Sequence, residues 1–139
     1  MSIRVRKRVT IYITAGAVLL ILLIANLIFQ SGSKSPGQVL YEKRCQNCHM
    51  EDGKGLKALI PSLVKNEQLV NPDYVVCLIK NGSRDTIENV IMPAHPDLTT
   101  GQISTIINYI NESWGNDYRS VTVREVKDGM ERCEEIFRK

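Results

Sequence analysis

From Val9 to Phe29 the chain runs 21 residues without a charge, its only polar side chains there being Thr10, Tyr12, Thr14 and Asn26. An α-helix needs about 20 such residues to cross the hydrocarbon core of a bilayer. A secretory signal has a shorter apolar core, about 7–15 residues, so an uncleaved transmembrane anchor is expected over residues 9–29. The competing reading is a cleaved signal, since Ser31 and Ser33 form a small-x-small pair that a peptidase would accept. No cysteine stands directly after the run, so a lipid anchor is not indicated. Arg4, Arg6, Lys7 and Arg8 lie in the arm 1–8 before the run, and only Lys34 lies just after it. Positive charge stays in the cytoplasm, so residues 1–8 are expected inside and the remainder exported.

The formal net charge of +3 is therefore misleading. Setting those five aside from the 18 Lys and Arg leaves 13 against 15 Asp and Glu, a net of −2. No basic surface for nucleic acid is indicated. Residues 30–35, Gln-Ser-Gly-Ser-Lys-Ser, form a flexible linker. Six residues span about 20 Å at full extension. The 105 residues from Ser35 to Lys139 suffice for one small domain, and they contain no internal repeat.

Within that domain Cys45-Gln-Asn-Cys48-His49 has the Cys-x-x-Cys-His spacing of c-type haem attachment. On a helix these three residues fall on one side of a single turn. Two thiols there can form thioethers with the haem vinyl groups while the imidazole serves as proximal iron ligand. A zinc site would want a fourth ligand, a thioredoxin-like pair a βαβ context, and five residues can match by chance. Export to the compartment where haem is attached weighs against all three. For the opposite axial position the sulfur candidates are Met1, Met50, Met92 and Met130. Met1 is on the wrong side of the membrane, and Met50 adjoins His49. Met92 precedes Pro93, which biases it towards an extended backbone suited to a loop across the haem. A core methionine is the plain alternative, and His95 is the rival ligand.

With those residues in view, the region from Gly37 to Trp114 resembles class I, mitochondrial-type mono-haem cytochromes c in their membrane-anchored bacterial form. Gly53, Gly55, Pro61 and Leu63 match positions that follow the motif in that family, and Met50 replaces its common glycine. The resemblance implies that the Pro61 carbonyl accepts the His49 Nδ1–H bond and that Leu63 packs on the haem. It also implies a helix crossing between Gly37/Tyr41 and Ile106/Tyr109. The ending from Asn108 to Asn116 is similar to small cytochrome modules of respiratory and denitrifying enzymes. The expected fold is all-α around one covalent haem, with the cytochrome domain at 36–118.

Local signals agree. Ser35-Pro36 opens a helix ending near the cysteine pair. Asn71-Pro72 opens a second that stops near Asn81-Gly82. Thr99 and Gln102 make a capping box for a third. Between the last two an irregular loop is expected to carry Met92, and few segments alternate as strands do. Beyond the family core, residues 119–139 carry a further capping box, Thr122 with Glu125, and an apolar stripe of Val123, Val126, Met130, Cys133 and Phe137. Cys77 lies in an apolar run of the second helix, so a Cys77–Cys133 disulfide is expected in the oxidising compartment. Two unpaired buried thiols are the alternative.

If His49 and Met92 take both axial positions, no site remains for substrate. The chain is then no enzyme but a single-electron carrier in the cytoplasmic membrane, its haem domain on the periplasmic side. Expected partners are membrane lipid, a quinol-oxidising complex upstream, and a terminal oxidase or nitrogen-oxide reductase downstream. The alternatives are a permanent cytochrome subunit of such a complex, a haem sensor or peroxidase with a labile distal ligand, and a structural metal-binding module without haem.

Overall fold

The first helix, α1 (Ile3–Gln30), contains the apolar run, and over Thr10–Ile28 it is long and apolar enough to cross a membrane. In this computed structural model residues 3–30, 32–57, 59–84 and 91–136 are described. The two threonine hydroxyls in the run are satisfied within the helix: Thr10 donates to the Arg6 carbonyl and Thr14 to that of Ile11, both at 3.0 Å. This is what a span needs where no water is available. The chain divides into two compact units, Met1–Lys34 and Ser35–Lys139.

In the second unit each helix begins where the sequence places a cap. The Ser35 side chain accepts from the Gln38 N–H and Pro36 stands at the first position of α2 (Pro36–Arg44). A single turn follows as α3 (Gln46–His49). After a long loop and a 3₁₀ turn at Glu67–Val70, Asn71 caps α4 (Pro72–Asn81), which stops at Gly82 with φ 73°. Thr99 and Gln102 form the reciprocal capping box of α5 (Thr100–Glu112). Thr122 and Glu125 do the same for α6 (Val123–Ile136), the Thr122 N–H donating to the Glu125 carboxylate at 2.8 Å.

Packing follows from the apolar faces. α2 crosses α5 so closely that a Cβ on Gly37 would lie 2.6 Å from both the Thr105 carbonyl oxygen and Tyr109 Cβ. Only glycine allows that approach, and it brings the rings of Tyr41 and Tyr109 to 5.4 Å. Tyr41, Val76, Cys77, Ile103, Ile106, Ile107 and Val126 are the largest fully buried side chains. The chain after α5 is fixed by asparagines rather than by secondary structure. Asn116 donates to the carbonyls of Leu63 and Ile110, and Asn108 both donates to and accepts from the Val121 backbone.

α6 docks on α4 and α5. Cys77 and Cys133 are joined by a disulfide, as expected. Beside it Arg132 makes a bidentate pair with Asp73 at 2.7 and 2.9 Å. The stripe is narrower than the sequence suggests. Val126 and Cys133 are buried and Met130 packs against the core, but Val123 is 51% exposed, because at the first position of α6 it precedes the turn that meets α4. Phe137 lies outside the described residues. A second correction concerns Met92. It sits not in an irregular loop but in a two-residue strand, β2 (Ile91–Met92), pairing antiparallel with β1 (Ser83–Arg84) so that Met92 faces Ser83. Two-residue strands leave no alternation for a sequence to display.

Candidate cofactor site

α2 ends at Arg44, and Cys45 serves as its C-cap while opening α3. The N–H groups of Cys48 and His49 both return to the Cys45 carbonyl, at 3.1 and 2.9 Å. That turn holds Cys45, Cys48 and His49 on the wall of one cleft of about 420 Å³. Both cysteines are free thiols, not joined to each other. Burial, together with the nearby Cys48, pushes the Cys45 thiol up to about 11, so it stays protonated at neutral pH.

The loop after His49 is built to return a carbonyl to it. Met50 holds φ 64° and ψ 164°, and its carbonyl accepts the Tyr41 hydroxyl at 2.7 Å. A Cβ at Gly55, φ +64°, would meet the Ile60 oxygen at 2.2 Å, so the loop closes only over a glycine. The Pro61 carbonyl then lies 3.3 Å from His49 Nδ1. A carbonyl only accepts, so Nδ1 carries the proton and Nε2 retains its lone pair. Burial lowers the His49 pKa, with the Pro61 contact opposing it in part, and the ring is therefore held as the neutral ligand form.

Met92, half-buried, and His95 also line the cleft, so a thioether and a second imidazole share the space with His49. Leu63 does not line it. Its backbone N–H bonds the Gly53 carbonyl at 2.7 Å, its carbonyl accepts from Asn116, and its side chain packs against the interior cluster. Apolar walls come instead from Leu59, Ile60, Leu78 and Ile91, with Tyr74 one turn before Leu78 on α4. The i, i+4 spacing of Tyr74 and Leu78 was visible in the sequence. Their separation from the buried face of Val75, Val76, Cys77 and Ile79 was the signal that could have found them.

Two free thiols on one turn, a neutral imidazole and a thioether around a largely apolar cleft form the donor set of a covalently held haem. The cleft also falls within the roughly 300–1,000 Å³ usual for ligand sites. The residues present fit the group.

Comparison with known proteins agrees. Residues 32–110 match the family model described as cytochrome C oxidase, cbb3-type, subunit III. The chain is 39% identical over 102 residues to the fructose dehydrogenase cytochrome subunit of Gluconobacter japonicus, covering 66% of this chain and 21% of that protein. It is 35% identical over 101 residues to the alcohol dehydrogenase (quinone) cytochrome c subunit of Gluconacetobacter polyoxogenes, covering 66% and 22% respectively. To the gluconate 2-dehydrogenase cytochrome c subunit of Pantoea cypripedii it is 26% identical over 113 residues, covering 74% and 26%. The chain thus spans only about a fifth to a quarter of the length of these relatives.

Proposed function

The chain belongs to the family of cbb3-type cytochrome c oxidase subunit III, electron-transfer proteins with covalent c-type haem, and from this premise we propose that it is a membrane-tethered carrier of single electrons with one haem. Cys45 and Cys48 would hold the haem through two thioethers, and His49 and Met92 would ligate its iron. The observation that carries this reading is the convergence of those four side chains on one cleft. When bound, the haem supplies a reversible one-electron change at iron.

The chain's own residues supply the rest. Pro61 orients the His49 ring and keeps its proton on Nδ1. Met92 would supply a thioether ligand, and a His/Met pair raises the reduction potential relative to other ligand pairs. Leu59, Ile60, Leu78 and Ile91 give the cleft apolar walls. His95 stays off the iron in this reading. α1 anchors the protein in the cytoplasmic membrane with its basic arm inside and the Cys45–Met92 site outside, as the arginines of the arm support.

Electrons pass between membrane enzymes, a quinol-oxidising complex or quinone-linked dehydrogenase on one side and a terminal oxidase or nitrogen-oxide reductase on the other. A second reading is favoured by the relatives, which are named as cytochrome subunits of dehydrogenases: permanent residence in such a complex. Detergent extraction and affinity capture with haem staining separate the two, since a subunit co-purifies at fixed stoichiometry and a carrier does not. The haem reading is tested on protein made with the attachment machinery. Haem should remain on the band in a denaturing gel, and Met92→Ala should abolish the far-red iron–thioether band and lower the potential. If acid acetone extracts the haem from the native chain, covalent attachment is wrong. If His95→Ala alone changes the spectrum, the distal ligand is the imidazole. A sensor or peroxidase would instead bind carbon monoxide readily in the native chain.

A further inference from the structure

The segment that presents Met92 is held almost wholly from one wall of the cleft. Met92 pairs with Ser83, and a Cβ at Gly82 would lie 2.4 Å from the Met92 carbonyl oxygen. The His95 N–H donates to the Ile79 carbonyl at 2.9 Å, and Lys80 Nζ to that of Pro96 at 2.8 Å. All of these partners belong to the end of α4 and the strand after it. Pro93, Ala94, Pro96 and Asp97 are exposed, and the next buried side chain is Leu98.

One contact comes from the opposite wall. Arg44, the last residue of α2 and the neighbour of Cys45, places Nη2 2.5 Å from Asp97 Oδ2, across 53 positions of sequence. Arg44 itself lines the cleft. Its hydrogen bond, the larger influence, holds the Asp97 carboxyl below the usual carboxylate range. The pair therefore stays ionised through neutral pH. The two side chains are 32% and 54% exposed, so the pair is open to screening by salt.

Resting on the reading of Met92 as axial ligand, we propose that Arg44 and Asp97 are positioning residues for it. Their ion pair ties the Met92 segment to the thioether side of the cleft and sets how readily the sulfur leaves the iron. A surface pair is weak as a source of stability, but here it bridges the two sides that must stay together for Met92 to remain bound. Without it, the stretch between Met92 and buried Leu98 would have side-chain and backbone ties to the α4 wall and to α5 but none to the helix that carries the cysteines.

The test uses the full-length oxidised holoprotein in detergent, titrated with imidazole as competing ligand while the far-red iron–thioether band is followed. Arg44→Gln and Asp97→Asn should each bind imidazole roughly two- to five-fold more tightly than the native chain, the range expected of a partly exposed pair. Arg44→Lys should restore most of the native affinity, and high KCl should move the native chain towards the variants while leaving them unchanged. Variants that titrate like the native chain overturn the proposal, including any whose melting temperature falls with no change in imidazole affinity. The Met92 reading fails separately and first: the native band is then absent, or it survives Met92→Ala. That outcome removes the proposal along with its premise.

Discussion

Met50 is a longer side chain where the family pattern has glycine, and its backbone shows why glycine is common there. At φ 64° and ψ 164° it occupies a region that is essentially glycine-only, at a cost of order 1–3 kcal/mol. The conformation persists because both sides fix it, with the Met50 N–H on the Gln46 carbonyl and the Tyr41 hydroxyl on its own carbonyl. Neither bond uses the side chain. Met50→Gly should therefore relieve the strain and keep both bonds, against about 0.5–1 kcal/mol for the greater freedom of glycine in the unfolded chain. The expected net is about 1 kcal/mol of added stability, read from the midpoint of denaturant unfolding, with the visible spectrum unchanged. A lower midpoint would mean that packing of the methionine outweighs the strain. The departure from the pattern was legible at residue 50, but its sign was not, since it depends on a backbone angle. The backbone of Leu63 is likewise fixed from afar, its carbonyl accepting from Asn116, 53 positions away.

At the scale of elements, helix starts were the most legible feature because a cap is local chemistry. Ser35-Pro36, Asn71-Pro72 and the two capping boxes each act within four residues, so tertiary context had little to change. The hairpin of β1 and β2 was invisible, since it is set by Gly82 and Met92 meeting rather than by any pattern. The box that opens α6 carries a charge as well. Hydrogen bonds from the Thr122 N–H, and then from Arg119 and the Thr122 hydroxyl, hold the Glu125 carboxyl down to about 2. A carboxyl lowered on folding stabilises the native state above its unfolded value near 4.5, and the contribution is lost as pH falls towards 2. Glu125→Gln should thus be less stable than the native chain at pH 7, with the gap closing between about pH 4.5 and about pH 2. Urea midpoints across that range check it. A gap independent of pH would show that ionisation of Glu125 does not carry the effect.

The whole molecule joins a helix suited to lipid to a domain that closes its own core. In the unit Ser35–Lys139 the interior runs from Tyr41 through Val76 and Ile106 to Val126, and α6 is stapled to α4 by Cys77–Cys133. Closing a loop of 56 positions is worth about 4 kcal/mol in the chain-entropy model, with measured values often smaller. That term helps a domain of this size, whose core would otherwise be marginal without bound cofactor. Both cysteines of the pair could be read in the sequence because each fell on an apolar helix face of a segment expected to be exported. The cleft between Cys45 and Met92 could be read only as an order of ligands, since its walls come from side chains scattered from Leu59 to Ile91. Among the described residues, none of the buried side chains of that core comes from before Gly37. A chain beginning at Ser35, exported by a cleavable signal and loaded with haem, should therefore keep the absorption spectrum and the potential of the full chain. What it should lose, on the proposed anchoring by α1, is sedimentation with membranes. The two forms are compared by potentiometric titration and by fractionation. A shifted potential in the shortened chain would show that the segment before Ser35 shapes the haem site, and membrane retention without α1 would assign anchoring to a partner protein instead.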